Sequence, residues 1–287
     1  MCITFCYVNP SPSLKTFKLI MIMNRDEHFD RPTSSASWED GILCGRDEKV
    51  SSKRGGTWCA INEEGKIGFL TNIFTGQSYN RLSRGSLIID YLKEGKIKTS
   101  MDYLNELSKH GNVYNPFNLF LMSPNAQGSF DSFYYCPGLE DHIQNEGPLQ
   151  IHDSFIGLSN HPLSSPYRKT STYLHKFSNI VHEYNDTSQQ STLTESLFNA
   201  LQCTDKCYPD PQIEKQCLNP SFRSRYEFLT SLFILSGPGS TYGTRSQTLI
   251  LIDYFDNVYF TEKTRMDASN TQDWSTVEKY FRIKGSA

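Results

Sequence analysis

The chain of 287 residues is 37% hydrophobic and 13% aromatic, which supplies a sizeable core and excludes a disordered polypeptide. Its formal net charge is −3 and no run of Lys/Arg exceeds two residues, so the clustered basic face that nucleic acid needs is absent. No apolar stretch approaches the ~18–20 residues of a membrane span, and no secretory leader is expected, because Asn9, Pro10, Ser11 and Pro12 interrupt the first apolar segment.

The chain opens Met1-Cys2-Ile3-Thr4-Phe5-Cys6-Tyr7-Val8, in which Ile3, Phe5 and Tyr7 alternate with Thr4, Cys6 and Val8. This predicts a β-strand from the first residues, with a thiol at its start. Cys2 has two readings. It is a small buried side chain, or its thiol gains an adjacent α-amine once Met1 is removed. The second is the logic of an N-terminal nucleophile, in which one residue supplies attacking atom and general base.

Phe17 to Met23 is apolar on both faces apart from Lys18 and predicts a strand buried between layers. It is expected to stop at Asn24-Arg25-Asp26-Glu27-His28-Phe29-Asp30-Arg31-Pro32, a dense charged exit. Arg25 and Asp26 there either flank a reactive thiol and amine or form a surface ion pair of little worth.

Thr57–Asn62 and Lys66–Thr71 predict a hairpin turning on Glu63-Glu64-Gly65, and Gly55-Gly56-Thr57-Trp58 before it suits a pocket wall or a turn with a core Trp. A helix follows over Ser86–Leu92, ending at Gly95. A second is marked by Met101, Leu104 and Leu107, started by Thr99 or Ser100 and stopped by Gly111. Phe117–Met122 and Ser154–Ser159 are expected strands. Tyr173, Phe177, Ile180 or Val181, and Tyr184 form a helical stripe, as do Leu193, Leu197, Phe198 and Leu201. Gln247–Phe255 and Val258–Glu262 form a last hairpin, turning on Asp256-Asn257. Hairpins between blocks of helix predict a layered α+β domain rather than βαβ units. No linker divides the chain, and one domain over 1–287 is expected.

The eight cysteines are scattered, which without a secretory leader predicts free thiols and a cytoplasmic protein. Cys203, Cys207 and Cys217 share a polar loop with Pro209 and Pro211, but no His follows at ligand spacing, so no metal site is assigned. Three polar residues stand at strand ends: Asn72, Asn160 and Arg245. Asn at such a place donates to an oxyanion or simply terminates a strand.

Taken in order, Met1-Cys2-Ile3, Asn24-Arg25-Asp26-Glu27, Arg31-Pro32, Gly55-Gly56-Thr57-Trp58, Leu70-Thr71-Asn72, Ser83-Arg84-Gly85, Phe117-Asn118-Leu119, Gly157-Leu158-Ser159-Asn160, Arg168-Lys169 and Tyr242-Gly243-Thr244-Arg245-Ser246 resemble the NRDE family, the Transport and Golgi organization protein 2 family. The likeness runs to about Glu262. Ala60 stands where that family tends to have Gly after its GGTW motif, and Tyr167 where a Trp usually precedes Arg-Lys.

The resemblance implies an N-terminal-nucleophile hydrolase-like αββα sandwich, two mainly antiparallel sheets between helix layers. By analogy with the cysteine acylases of that superfamily, Cys2 falls at the nucleophile and Arg25 and Asp26 at its charged neighbours. Asn72 and Asn160 fall at the oxyanion-side asparagines, and Arg245 at the distal arginine. Asn24, Glu27 and Trp58 join Arg25, Asp26, Asn72, Asn160 and Arg245 as the expected ligand-binding set.

The family association implies a small-molecule carrier handling haem or an acyl-lipid or acyl-CoA, with a role in mitochondrial and Golgi homeostasis. The cytoplasm is then the expected compartment, with mitochondrial or Golgi association. The residues alone favour the alternative, a cysteine amidohydrolase acting on a non-peptide C–N bond through Cys2. A non-catalytic scaffold for membrane traffic is a third reading, and no protein partner is singled out. Catalysis through Cys2 requires no cofactor. Haem enters only as cargo; His28, His152 and His161 lie near the matched motifs without belonging to them, and a cysteine, Cys2 included, is the other candidate iron ligand.

Overall fold

The computed structural model describes every residue except 50–54, 74, 76–80, 94–98, 139–142, 217–225, 237–239, 269 and 286–287. Thirteen strands are described, β1 (Cys2–Val8), β2 (Phe17–His28), β3 (Thr33–Glu39), β4 (Ile42–Asp47), β5 (Cys59–Asn62), β6 (Ile67–Asn72), β7 (Phe117–Pro124), β8 (Phe130–Cys136), β9 (Glu146–Ile151), β10 (Phe155–Leu158), β11 (Tyr242–Asp253), β12 (Asn257–Arg265) and β13 (Trp274–Arg282). The main helices are α1 (Leu87–Leu92), α2 (Ser100–Ser108), α3 (Arg168–Tyr184) and α4 (Gln190–Leu201), with a short α5 (Pro211–Gln216).

The strands form two antiparallel sheets. The first runs β10-β1-β2-β11-β12-β13 and the second β3-β4-β5-β6-β7-β8-β9. Both ends of the chain thus build one sheet and its middle builds the other.

Strand periodicity explains the layering. On β2, Met21 and Met23 face the second sheet and meet Phe69, Phe120 and Met122, while Ile20 and Ile22 face α3 and α4 and meet Phe177 and Leu197. A strand buried on both faces reads as a continuous apolar run, which is why Phe17–Met23 stands out in sequence. On the far side, Leu104 of α2 and Ile88 of α1 cover Leu119 and Leu121 of β7. Each such buried side chain stabilises the fold by ~1.5–3 kcal/mol. The order helix, sheet, sheet, helix is the expected αββα sandwich.

Most expected elements are present. Thr99 caps α2, its Oγ1 accepting from the Asp102 N–H at 3.0 Å, and Asp256 turns the β11–β12 hairpin at φ 64°. Gly95 and Cys217 lie outside the described residues. One expectation is corrected. The charged segment after Met23 does not leave the sheet: β2 continues to His28, because β11 begins at Tyr242 and pairs along it from Tyr242↔His28 to Ser246↔Arg25. The β3–β4 hairpin is a further element, and it turns on Asp40-Gly41, whose φ values of 50° and 72° are those of a primed hairpin turn.

Candidate functional site

β1 and β2 pair so that Cys2 lies opposite Arg25. Strand alternation puts both on the face that looks across to the second sheet, in line with Cys6 and Met21. At this end the apolar filling between the sheets gives way to a cleft of about 290 Å³. Cys2, Arg25, Arg31, Trp58, Asn72 and Arg84 are among the residues that line it.

Cys2 is 8% exposed. Burial raises its thiol pKa, and the nearby terminal ammonium and Arg25 oppose that shift without reversing it. The resting group is therefore a thiol rather than a thiolate at neutral pH. Its backbone N–H donates to Asn160 Oδ1 at 2.7 Å. Asn160 is delivered there because β10 pairs with β1 as far as Thr4↔Leu158, and the chain simply continues. Asn160 Nδ2 then donates to the Asn72 carbonyl at the end of β6, at 2.6 Å.

A set of polar side chains keeps this junction rigid. Ser159 Oγ donates to the Cys2 carbonyl at 2.7 Å, and Thr71 Oγ1 to the Ser159 carbonyl at 2.5 Å. Asn118 Nδ2 donates to that same carbonyl at 3.0 Å while its Oδ1 accepts from the Tyr134 hydroxyl at 2.7 Å. Buried polar groups are costly unless they are paired, so these bonds tie β1 and β10 of one sheet to β6, β7 and β8 of the other.

The charged side of the cleft is built around Arg25, which is 3% exposed. Its guanidinium lies over the Trp58 ring at 4.1 Å. Nη2 stands 3.7 Å from Asp47 and 3.9 Å from Glu27 and has no hydrogen-bond partner among the described residues. Arg31 Nε donates to both Asp47 carboxylate oxygens at 2.9 and 2.8 Å. Burial works to raise the Glu27 pKa, but the His28 N–H and Arg25 outweigh it and leave the carboxyl below its ordinary value. Opposite, Arg84 Nε donates to Asn72 Oδ1 at 2.7 Å. Burial, with Arg31 adding to it, brings the Arg84 pKa down to about 10.

Asp26 follows Arg25 and so faces the other way, toward the helices, at the rim of the cleft. Its Oδ1 accepts from Thr244 Oγ1 at 2.6 Å, and Oδ2 is 4.0 Å from the Met1 ammonium. Burial raises the Asp26 pKa, while the terminal ammonium, buried Lys169 and Thr244 hold it back. The Met1 ammonium donates to the Asp26 carbonyl at 3.0 Å.

Of the residues singled out from sequence, Cys2, Arg25, Asp26, Glu27, Trp58 and Asn72 line the cleft, and Asn160 reaches its floor through Cys2. Asn24 and Arg245 lie elsewhere. Asn24 points to the helix side, donating to the Leu201 and Leu232 carbonyls at 3.0 and 3.1 Å. Arg245 occupies an irregularity in β11, between Thr244 and Ser246, that takes it out of register. It donates to the His28 and Arg31 carbonyls at 3.1 and 2.5 Å, steadying the turn that carries Arg31.

Arg31, Asp47 and Arg84 also line the cleft. Arg31-Pro32 and Ser83-Arg84-Gly85 were visible as motifs, but Asp47 has no local signal, since only β4 brings it beside Arg25. Among the described residues, no group of three or more His, Cys, Asp or Glu is placed to hold a metal ion. His28 contacts Thr241 and Tyr242, and His161 contacts Ser165. Neither lines the cleft.

The family profile described as Transport and Golgi organisation 2 matches residues 1–267. The human Transport and Golgi organization protein 2 homolog is 33% identical over 293 residues, covering 99% of this chain and 100% of that protein. Among solved structures, a mutant conjugated bile acid hydrolase from Clostridium perfringens is similar at 7% identity and a TM-score of 0.46, covering 98% of this chain and 97% of that one. An N-acylethanolamine-hydrolyzing acid amidase ortholog from Caenorhabditis elegans is similar at 9% identity and a TM-score of 0.47, covering 96% and 99% respectively.

Proposed function

The chain belongs to the Transport and Golgi organisation 2 family, and on that premise we propose that it binds an acyl-type metabolite carrying an anionic group, in the cleft above Cys2. The observation that carries this is Arg25, buried and stacked on Trp58, whose Nη2 makes no hydrogen bond among the described residues and has only the longer ion pairs to Asp47 and Glu27 at 3.7 and 3.9 Å. A buried guanidinium donor without a hydrogen bond is unfavourable, and a carboxylate or phosphate oxygen of a ligand would supply one. Arg31 and Arg84 on the same walls extend the cationic surface, and Trp58 and Leu70 offer apolar contact.

The cleft favours an acyl metabolite over haem as cargo. Of the expected haem ligands only Cys2 borders the cleft, and burial keeps it a thiol rather than the thiolate that ligates iron. Carriage of such a metabolite is compatible with a role in Golgi or mitochondrial homeostasis, and Golgi organization is in the names of the curated relatives. Titration calorimetry with hexanoyl-CoA tests the reading. Arg84→Gln removes one charge-assisted contact, worth ~1.5–3 kcal/mol, and is expected to weaken binding roughly 10- to 100-fold. Equal affinity in wild type and variant would count against it.

One observation favours a second reading, a cysteine amidohydrolase. Cys2 N is held by Asn160 at 2.7 Å, where a free amine would sit beside its own thiol. In that mechanism the amine takes the thiol proton, sulfur attacks the acyl carbon, and the proton passes to the departing amine. Water then releases the acid from the thioester. With Met1 attached, Cys2 N is an amide and has no basic lone pair, so the cleft holds without cutting. Amide turnover by a form that begins at Cys2, lost in Cys2→Ala, would establish the hydrolase. Its absence leaves the carrier.

A further inference from the structure

Met1 is not a frayed end. Its side chain is 6% exposed and packs against a separate apolar cluster formed by Tyr167, Ile213, Tyr226, Leu229 and Ile234. This cluster lies on the helix side of the first sheet, the side to which alternation from Ile3 directs Met1. Met1 also borders the arginine-lined cleft. The apolar slot and the charged cleft therefore meet at Cys2.

The backbone of Met1 is held as firmly as its side chain. Its carbonyl accepts from the Asp26 N–H at 2.8 Å, continuing the ladder that pairs Cys2 with Arg25. Chemically, Met1 is an α-aminoacyl group joined to Cys2, its ammonium on the Asp26 carbonyl at 3.0 Å. It has a carbonyl on a fixed donor and an unbranched apolar chain in a close-fitting slot. Its departure would leave the Asp26 N–H without a partner and an empty apolar space on the helix side of residue 2, both unfavourable unless refilled.

We propose that the space Met1 fills is the acyl subsite of the Cys2 cleft. When Cys2 leads the chain, an unbranched acyl group takes the place of Met1, with its carbonyl on the Asp26 N–H and its aliphatic chain among Ile213, Leu229 and Ile234. The anionic remainder of the ligand lies among Arg25, Arg31 and Arg84, so this inference rests on the ligand class proposed above. A hexanoyl chain matches methionine from the carbonyl carbon to Cε atom for atom, which sets the expected length. Met1 then acts as a built-in occupant, and its removal is what opens the acyl end of the site.

The test compares the chain retaining Met1 with a form released from a cleavable N-terminal fusion so that residue 2 leads, both carrying Cys2→Ala to keep thioesters intact. Hexanamide, which has no anionic group, reads the slot alone. It should shift the methyl signals of Ile213, Leu229 and Ile234 in the shortened form and not in the Met1 form. Acetyl-, butanoyl-, hexanoyl- and octanoyl-CoA then read the whole site. In the shortened form, affinity should rise about fourfold per methylene up to hexanoyl and level off, while the Met1 form shows no dependence on chain length. Hexanamide shifts in neither form, or in both alike, overturn the subsite. Hexanamide shifts confined to the shortened form, with no binding of any CoA thioester, support the subsite and instead sink the proposed anionic ligand.

Discussion

The Cys2 N–H meets Asn160 Oδ1 at 2.7 Å across 158 positions of sequence, and the same Asn160 side chain donates to the Asn72 carbonyl at 2.6 Å. One amide thus joins the first strand, the end of β10 and the end of β6. It fixes the position of the atom that would become a free amine if Met1 were removed.

Asn160→Ala is expected to leave the Cys2 N–H unpaired in a buried setting, which costs ~1–3 kcal/mol. Urea denaturation should show a lower midpoint with little change in slope. An unchanged midpoint would mean that the Asn160 bonds contribute nothing net to stability.

Arg25→Lys keeps the charge but loses the planar face that lies over Trp58 at 4.1 Å. A partly desolvated stack of this kind is worth ~1–2 kcal/mol, and the variant should unfold earlier by that amount. Tryptophan emission in the folded state should also shift, since Trp58 loses its cover. Wild-type stability and emission together would argue that the contact is incidental.

Glu262 lies between the sheets, 2% exposed, with Oε1 accepting from the Ala36 N–H at 2.7 Å. Burial raises its pKa from 4.5 to about 7, against the smaller opposing effects of the Ala36 N–H, Arg25 and Thr248. A carboxyl raised on folding binds more protons in the native state. Its contribution to stability is therefore complete below the unfolded pKa and is lost as pH rises from about 4.5 to about 7. Over that window the loss is on the order of 3 kcal/mol. Glu262→Gln keeps the acceptor oxygen and should remove this decline. Unfolding free energies measured at pH 5 and pH 8 check it, and an equal decline in wild type and variant would refute it.

Gly45 is required by close approach rather than by a turn. A Cβ there would lie 2.7 Å from Trp58 Cζ2 and 2.8 Å from Glu262 Oε2. Gly45→Ala should destabilise by ~1–3 kcal/mol through overpacking and displace Trp58, the ring beneath Arg25. Thermal melts with ligand titration would show both effects. A variant with full stability would show that Trp58 has room to move.

Much of the fold was legible because its signals are local. The alternation of Ile3, Phe5 and Tyr7, the apolar run Phe17–Met23 and the Glu63-Glu64-Gly65 turn each act within a few residues. The Asp40-Gly41 hairpin carries an equally local signal. Charged residues after Met23 suggested a loop by composition, and pairing with β11 overrode it. Neighbouring strands satisfy the backbone there, whatever the side chains prefer.

The site was legible as a set of residues but not as an arrangement. Sequence by itself determined that a thiol begins a strand, that Arg25 and Asp26 follow the apolar run of another, and that asparagines close β6 and follow β10. Only the tertiary structure decided which of these meet. Adjacent strand residues point to opposite faces, so Arg25 enters the cleft while Asn24 binds carbonyls among the helices. The irregularity at Arg245 turns that side chain to the His28–Arg31 turn instead. Asp47 and Arg84 enter the cleft of Cys2, and the Met1 side chain meets the cluster of Ile213, Leu229 and Ile234, through pairings and packing between segments far apart in the chain. Such contacts depend on strand register and inter-sheet spacing, which no short stretch of sequence encodes.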